Sequence, residues 1–283
     1  MPIDQPRHAV GTEARHAEPR GQRLMWLNAD RVVYLGLLGE PAPRCFGGYA
    51  LYLSLQAPHR IRLEGGDWQI GRCSVVPPSV RHRIVSGERM ICGLLLEAET
   101  VEPGALPAWL RAGRGVVDAP EACLRMLAAL DALRGADAQP LADTAAFDTR
   151  FFGAPLRPRP LDARVQAVLA RIKADPHGRA SASDCAAQAQ LSVSRFLHLF
   201  KAETGSAFRS FRAWQRARSL LYHVTQSGSL TGIALDAGYP DATHFSHSIR
   251  QVYGLTPRSI FAGSRRLVLL ASGAAAAAPP RRL

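Results

Sequence analysis

Two stretches of equal length near the C-terminus decide the fold: residues 192–205 (SVSRFLHLFKAETG) and residues 241–254 (DATHFSHSIRQVYG). They lie 49 residues apart, and a capping residue, an aromatic residue, an imidazole, a cation and a closing glycine recur at matching places. A pattern repeated at a fixed offset is typical of one structural unit used more than once. We therefore predict two copies of one helical unit.

The ends of both stretches carry helix boundary signals. Ser192 and Asp241 open them, and side-chain oxygens of this kind accept from the first unpaired N–H groups of a helix. Gly205 and Gly254 close them, where a helix commonly ends in a left-handed residue. At 100° per residue each helix has one apolar face and one polar face.

Each predicted helix follows a short alanine-rich segment, residues 183–189 in the first case and residues 230–237 in the second, and then a tight turn. Two helices joined in this way form a helix-turn-helix, whose second helix enters the major groove of DNA. We predict base contacts from the exposed sides of both second helices: Val193, Ser194, Leu197, His198 and Lys201, and Ala242, Thr243, Ser246, His247 and Arg250. Candidates for phosphate contacts are Ser192, Arg195, Arg209, Arg212, Arg216 and Asp241.

Apolar residues at helical spacing predict one linker helix over residues 208–226, between the two units. Nineteen helical residues span about 28 Å, close to the ~34 Å between successive major-groove faces. The sequence therefore predicts two recognition helices on one side of a duplex, with some bending of the DNA.

Composition agrees with a polyanionic partner. The 283 residues carry 35 Lys and Arg against 23 Asp and Glu, a formal net charge of +12. Five cysteines without a Cys-x-x-Cys pair favour reduced thiols. The polar N-terminus and the lack of an 18-residue apolar run predict a cytoplasmic protein with no signal peptide and no membrane span.

The first half of the chain has a different pattern. Short apolar runs at residues 32–38, 49–55, 73–76 and 90–96, separated by turn residues, are typical of a small β-barrel or sandwich. Residues 120–134 have leucines at helical spacing, and this helix could be a dimer seam or pack on its own barrel. The predicted organisation is a disordered arm (1–22), a sensor barrel (23–118), a helical dimerisation or linker region (119–158), a DNA-binding domain (159–262) and a disordered tail (263–283).

The helical half resembles the AraC/XylS family of bacterial transcription regulators. The resemblance rests on residues 233–239 (IALDAGY) followed by Asp241, Phe245, Gly254 and Thr256-Pro257, and in the first unit on Leu191-Ser192, Phe196, residues 199–201 (LFK) and Gly205. It covers about 100 residues. His198 and His247 stand where the family often has arginine, Ile249 replaces a usual phenylalanine, and Gln190 replaces the usual glycine of the first turn.

The resemblance implies an α+β protein: an N-terminal cupin-like β-barrel with a following helical segment, and an all-α C-terminal domain with two helix-turn-helix units joined by a long linker helix. It implies a sequence-specific regulator that binds double-stranded DNA as a homodimer, with a small effector and RNA polymerase as candidate partners. Residues 75–78 (VVPP) followed by His82 are similar to a stretch of such barrels. Tyr52, Trp68 and His82 are candidate effector-pocket residues.

Two alternatives stay open at this point. A cupin-type metalloenzyme would need more ligands than His59 and His82, the two histidines of the barrel region, and no His-x-His pair occurs there. The other alternative is a helical domain that binds protein. We expect neither a metal site nor a cofactor, and no catalytic activity.

Overall fold

The computed structural model describes residues 23–39, 42–88, 90–135, 141–178, 180–225, 230–264 and 266–271. The predicted N-terminal arm, residues 1–22, lies outside the described residues. Ten strands and ten α-helices occur in the described part of the chain. An N-terminal sheet-rich domain precedes a C-terminal helical domain, as predicted.

The N-terminal domain is built from two antiparallel sheets. The strands are β1 (Arg23–Leu27), β2 (Arg31–Leu37), β3 (Tyr49–Leu53), β4 (His59–Leu63), β5 (Gln69–Gly71), β6 (Cys73–Val76), β7 (His82–Val85), β8 (Met90–Leu96), β9 (Gly115–Val116) and β10 (Leu267–Ala271). One sheet has the order β10-β1-β2-β8-β3-β6-β9, and the other has the order β5-β4-β7. Only the pairing of β1 with β10 is parallel.

The predicted barrel is not closed. Within the described part of the chain the two sheets share no strand, and an isolated bridge between Arg44 and His82 links β7 to the loop before β3. Pro77 and Pro78 follow β6 directly, and two residues without an N–H cannot continue a ladder into β7. The domain is therefore an open two-sheet structure.

The seven-stranded sheet is buried on both faces. Side chains alternate along β1, so Leu24 and Trp26 belong to one core, whereas Met25 and Leu27 belong to another. The first core contains the helices α1 (Ala108–Ala112), α2 (Pro120–Arg134) and α3 (Thr144–Phe152). This explains why β1 consists almost entirely of buried apolar residues and shows no polar alternation.

Helix α2 covers the residues predicted for it and packs on its own domain. Met126, Leu130 and Leu133 are buried there, whereas Leu124 is 68% exposed. A buried ion pair holds the neighbouring α3: Arg31 Nε and Nη2 donate to the two carboxylate oxygens of Asp148 at 2.7 and 2.9 Å. Of the two alternatives for residues 120–134, the structure therefore shows the helix packed on its own domain.

The C-terminal domain consists of α4 (Ala163–Ala174), α5 (Ala182–Gln188), α6 (Val193–Thr204), α7 (Phe208–Ser219), α8 (Leu230–Asp236), α9 (Ala242–Tyr253) and α10 (Pro257–Gly263). The linker helix is shorter than predicted: α7 ends at Ser219, and a single 3₁₀ turn follows at Leu220–Tyr222. The Ser219 hydroxyl donates to the Arg216 carbonyl, which competes with the helical ladder at this point. The α-helical part spans about 18 Å rather than 28 Å.

The two helix-turn-helix units are stabilised by different cores. Val165, Ile172, Phe196, Phe200 and Phe208 form a core of the first unit alone. The second unit contributes to the core that lies against the N-terminal sheets, with residues including Trp214, Ala234, Phe245, Ile249 and Tyr253. The second unit and the sheet domain are therefore one packed body.

The predicted disordered tail is wrong for residues 267–271. They form β10, which pairs with β1 in register from Arg23–Leu267 to Leu27–Ala271. A short apolar run (LVLLA) could find a partner only through a contact of very long sequence separation, which its local pattern does not reveal.

Two histidines are buried between the sheets. His59 Nδ1 lies 2.7 Å from Ser54 Oγ, and its Nε2 lies 2.6 Å from Ser74 Oγ. His82 Nε2 lies 2.7 Å from the Tyr52 hydroxyl. Burial lowers the pKa of each imidazole to about 4, so both rings are neutral near pH 7.

The turns of the two helix-turn-helix units share a left-handed residue. It is Gln190 in the first unit, with φ 54°, and Gly238 in the second, with φ 66°. A glycine adopts this conformation without steric cost, whereas a residue with a Cβ is strained there.

We expect Gln190→Gly to stabilise the protein. Removing the left-handed strain contributes about 1–2 kcal/mol, and the greater freedom of glycine in the unfolded chain offsets about 0.4–1 kcal/mol of it. Denaturant unfolding should show a net gain near 1 kcal/mol. Gln166→Gly, at an exposed position inside α4, is the matched control and should lose about 1 kcal/mol. A loss of stability in both variants would contradict the interpretation that Gln190 is strained.

We also expect stability to fall with acidification below pH 6.5. Between pH 6.5 and about 4 the unfolded chain protonates His59 and His82 whereas the folded chain does not, so the unfolding free energy decreases as pH falls. Each histidine contributes a slope of up to about 1.4 kcal/mol per pH unit. Denaturant titrations of His59→Gln and His82→Gln should show flatter profiles, and the exposed His247→Gln should keep the parent slope.

Candidate DNA-binding surface

Helix α6 presents the predicted contact residues to solvent. Ser192 caps it, with Oγ accepting from the Arg195 N–H, and Gly205 ends it with φ 74°. Phe196 and Phe200 are fully buried, which fixes the rotation of the helix. The opposite face is exposed, and it consists of the predicted Val193, Ser194, Leu197, His198 and Lys201.

Helix α9 repeats this arrangement. Asp241 Oδ1 accepts from the N–H groups of Thr243 and His244, both at 2.8 Å, and Gly254 ends the helix with φ 68°. Phe245 and Ile249 are buried against the rest of the domain. The predicted Ala242, Thr243, His247 and Arg250 are exposed, and Ser246 is half-buried.

The two faces offer more than one kind of contact. Hydroxyl and imidazole groups hydrogen-bond to base edges, and Lys201 and Arg250 also suit phosphates. Val193 and Leu197 are 42% and 37% exposed, and apolar side chains at this place match the methyl group of thymine.

Among the phosphate candidates, Arg195 and Arg209 are exposed, whereas two other arginines are engaged within the fold. Arg212 Nη2 donates to the Gly178 carbonyl, and the Arg216 guanidinium lies 5.5 Å from the centre of the Tyr239 ring. Ser192 and Asp241 are N-caps, and their side-chain oxygens accept from backbone N–H groups at the starts of α6 and α9. The expected basic stripe along α7 is thus reduced mainly to Arg209.

His244 is a candidate contact that sequence reasoning missed. Its Nδ1 lies 2.8 Å from Asp241 Oδ2, and the side chain is 69% exposed at the start of α9. The N–H and imidazole of His244 lower the pKa of the Asp241 carboxyl. The local signal was the Asp-x-x-His spacing, which places both side chains on the first turn of the helix.

Helix α7 is held to the sheet domain by a buried carboxylate. Glu97, which follows β8, is 1% exposed, and its oxygens accept from Trp214 Nε1 at 2.8 and 3.0 Å and from Gln215 Nε2 at 3.1 Å. Arg218 Nε lies 2.7 Å from Glu97 Oε1. Burial raises the pKa of Glu97 to about 7, helped by nearby Glu99 and opposed by Arg218.

A second ion cluster holds the first unit. Lys173, on α4, lies 3.1 Å from Asp30 Oδ1 and 2.9 Å from Glu99 Oε1. Lys173 lowers the pKa of Asp30 against the opposing effect of burial. Two ion pairs of Lys173 thus connect α4 to the sheet domain.

An apolar cavity of about 220 Å³ lies between the two domains. Its walls come from the sheet (Met25, Val32, Ile91) and from the second helix-turn-helix unit and its neighbours (Leu221, Val224, Tyr253, Leu255, Ile260). The cavity is thus shared by the sheet-rich domain and the helical domain.

Two of the three predicted pocket residues lie at this cavity, and the third does not. Tyr52 lines the cavity. His82 lies behind the Tyr52 side chain, with its Nε2 2.7 Å from the Tyr52 hydroxyl. Trp68 does not line it: its ring is 40% exposed on the outer face of β4 and β5. This prediction is corrected: Trp68 lies in the loop just before the edge strand β5, and its ring faces outward against Arg60 and Arg62.

Sequence reasoning missed Arg44, the one cation that lines this cavity. It is 5% exposed, and its Nε and Nη2 atoms have no hydrogen-bond partner among the described residues. Buried N–H groups that make no hydrogen bond are costly, and the guanidinium of Arg44 also lies beside the Tyr52 hydroxyl. A lone arginine in a loop between prolines and Cys45 gives no sequence signal for such a role.

Neither a metal site nor a membrane-spanning helix is found in the described ranges. No group of three or more His, Cys, Asp or Glu side chains there could hold a metal ion. No helix within them is both long and apolar enough to cross a membrane.

Comparisons with known proteins agree with this surface. Residues 185–262 match the family described as Helix-turn-helix domain. Invasion protein InvF of Salmonella typhi is 36% identical over 56 residues, which cover 20% of this chain and 26% of InvF. The chain thus matches about a quarter of the length of this relative.

Two crystal structures of ToxT from Vibrio cholerae share the two-domain fold. An apo variant aligns with a TM-score of 0.56 at 13% identity, covering 83% of this chain and 98% of that one. ToxT with a bound unsaturated fatty acid aligns with a TM-score of 0.51 at 11% identity, covering 83% and 96%. The C-terminal domain with its two repeated units thus matches a helix-turn-helix family over residues 185–262, and the two-domain fold is shared with ToxT.

Proposed function

We propose that this chain is a cytoplasmic, sequence-specific regulator of bacterial promoters that grips DNA with α6 and α9. The observation that carries this proposal is the pair of capped helices that bury their aromatic faces and expose matching polar faces. Phosphate contacts position such a protein, and base-edge contacts specify its site. Pairing of two half-sites by a homodimer and contact with RNA polymerase belong to the same proposal.

The cavity supports binding of an amphipathic carboxylate as effector. Its walls are mostly apolar, which suits a hydrocarbon chain, and Arg44 offers two unpartnered N–H donors to an anionic head group. The fold is shared with ToxT, and one of the ToxT structures contains an unsaturated fatty acid. A fatty acid is therefore the ligand class that we expect.

The position of the cavity connects this ligand to DNA binding. Leu221 and Val224 follow α7, Tyr253 is the last residue of α9, and Leu255 lies just after it. A ligand in the cavity would therefore contact both ends of the second unit. A ligand that prefers one placement of that unit shifts the population toward it. Effector binding would thus set the separation of α6 and α9.

We expect Thr243→Ala and His247→Ala to change base preference without loss of folding. Both side chains are exposed on α9, so their truncation removes hydrogen bonds to bases and leaves the core intact. Losing one good base contact costs about 1–3 kcal/mol of discrimination at that base pair. Selection from a random DNA library, followed by footprinting on the selected site, measures this.

Arg258→Ala, an exposed change on α10, is the control and should select the parent site. Binding of the parent should also weaken steeply as salt rises, because cations released from phosphates contribute to affinity. Identical base preferences in Thr243→Ala, His247→Ala and the parent would remove α9 from its proposed role.

We expect oleate to stabilise the protein through Arg44. At a concentration about a hundred times its Kd, a ligand that binds only the folded state raises the unfolding free energy by ~2.7 kcal/mol. Thermal unfolding should show this for oleate and much less for methyl oleate, whose head group carries no charge. Arg44→Gln should abolish the difference between the two compounds.

Arg72→Ala, at an exposed position outside the cavity, is the matched control for loss of one arginine. It should retain the response to oleate. An equal response to both compounds in the parent would show that no carboxylate is recognised, and DNA binding by α6 and α9 would be unaffected by that outcome.

A further inference from the structure

The outer face of the three-stranded sheet carries a basic and apolar patch that the proposed function does not use. The inner residues Ile61 and Ile84 are fully buried, so side chains alternate and their neighbours point outward. We call this outer face the arginine–tryptophan patch. It consists of Arg60, Arg62, Trp68, Ile70 and Arg83.

The patch is crowded with like charges. Arg62 and Arg83 stand directly opposite each other in the register of β4 and β7, and Arg60 is two residues from Arg62 on the same face. None of the three has a carboxylate within 4 Å among the described side chains. Like charges directly opposite on a sheet are destabilising. An anionic group bound to the patch would relieve this repulsion.

The patch also has an exposed apolar part. The Trp68 ring is 40% exposed, and the guanidinium carbons of Arg60 and Arg62 lie 5.6 and 5.1 Å from its centre. Ile70 pairs with Arg60 across β4 and β5 and is 68% exposed. Tryptophan and arginine are the residues most enriched in the energetically dominant parts of protein interfaces.

We infer that the arginine–tryptophan patch docks an acidic segment of another protein, in which carboxylates alternate with aliphatic or aromatic side chains. Arg60, Arg62 and Arg83 pair with the carboxylates, and Trp68 and Ile70 bury the apolar side chains. A nucleic-acid strand would satisfy the arginines, but it has no side chain to cover Ile70. The segment comes from a partner, since residues 1–22 hold three acids against three arginines and residues 272–283 hold no acid.

The test uses the full chain and a fluorescent 12-residue peptide that alternates glutamate with leucine and phenylalanine. Anisotropy should show saturable binding of this peptide and none of the same peptide with glutamine in place of glutamate. Arg60→Ala/Arg62→Ala and Trp68→Ala should each weaken binding about tenfold, as expected for interface residues of this kind. Arg83→Glu is a further variant that should also weaken binding, and it leaves the placement of Arg60 and Arg62 over the Trp68 ring unchanged.

Arg111→Ala/Arg114→Ala is the matched control, since it removes two exposed arginines elsewhere on the same domain. It should change affinity by less than about twofold, as is usual for charges outside an interface. Lys201→Ala/Arg250→Ala should likewise keep peptide binding, which separates the patch from the DNA-binding faces. Circular dichroism and thermal unfolding verify that each variant is folded.

Two results would overturn the proposal. One is equal affinity of the peptide for the parent and for both Arg60→Ala/Arg62→Ala and Arg83→Glu. The other is binding of oligothymidylate, measured in the same way, that falls in these variants while peptide binding does not. The second result would assign the patch to nucleic acid.

Discussion

The position of α7 depends on one buried carboxylate. Glu97 accepts from Trp214 and Gln215 and is paired with Arg218, and these three residues lie on one side of α7. Charges inside a protein are stable only when they are paired and hydrogen-bonded, and removing one partner of such a pair costs about 3–5 kcal/mol. Because α7 joins both helix-turn-helix units, a contact made by the sheet domain sets where both units stand.

The two ends of α7 belong to different cores. Phe208 and Phe211 at its start pack with the first unit, whereas Trp214 and Ala217 pack with the sheets and the second unit. The first unit is connected to the sheet domain by the continuous helix, by contacts of α6 with residues 98–100 and by the charges around Lys173. Its apolar core is not shared with the sheets, whereas the core of the second unit is, so the two units are attached to the sheet domain in different ways.

Local chemistry made the helical half predictable. N-caps, closing glycines and apolar faces act within a few residues, so the sequence predicted both recognition helices and their exposed sides within one residue of the observed bounds. The strands at residues 73–76 and 90–96 were equally visible. The early end of α7 was not, because the apolar spacing of Leu221 and Val224 continues beyond Ser219, where these side chains instead line the cavity.

Contacts of long sequence separation explain the remaining differences. Arg44, Glu97 and β10 gain their roles from residues that lie far away in the chain, and no local pattern marks them. Trp68 was a candidate pocket residue, but it lies in the loop before the edge strand β5 and its ring faces outward. Sequence periodicity gives the face of a strand relative to its neighbours, and only the assembled sheets decide which face is the inner one.

The proposed effector would act unequally on the two helix-turn-helix units. The cavity borders the second unit, whose core is continuous with the sheets, and it does not border the first unit. A ligand beside Arg44 would therefore act on the position of α9 directly, and on α6 only through α7. Glu97 holds the C-terminal half of α7 to the sheet through Trp214, Gln215 and Arg218, so this half would be the pivot about which the separation of α6 and α9 changes.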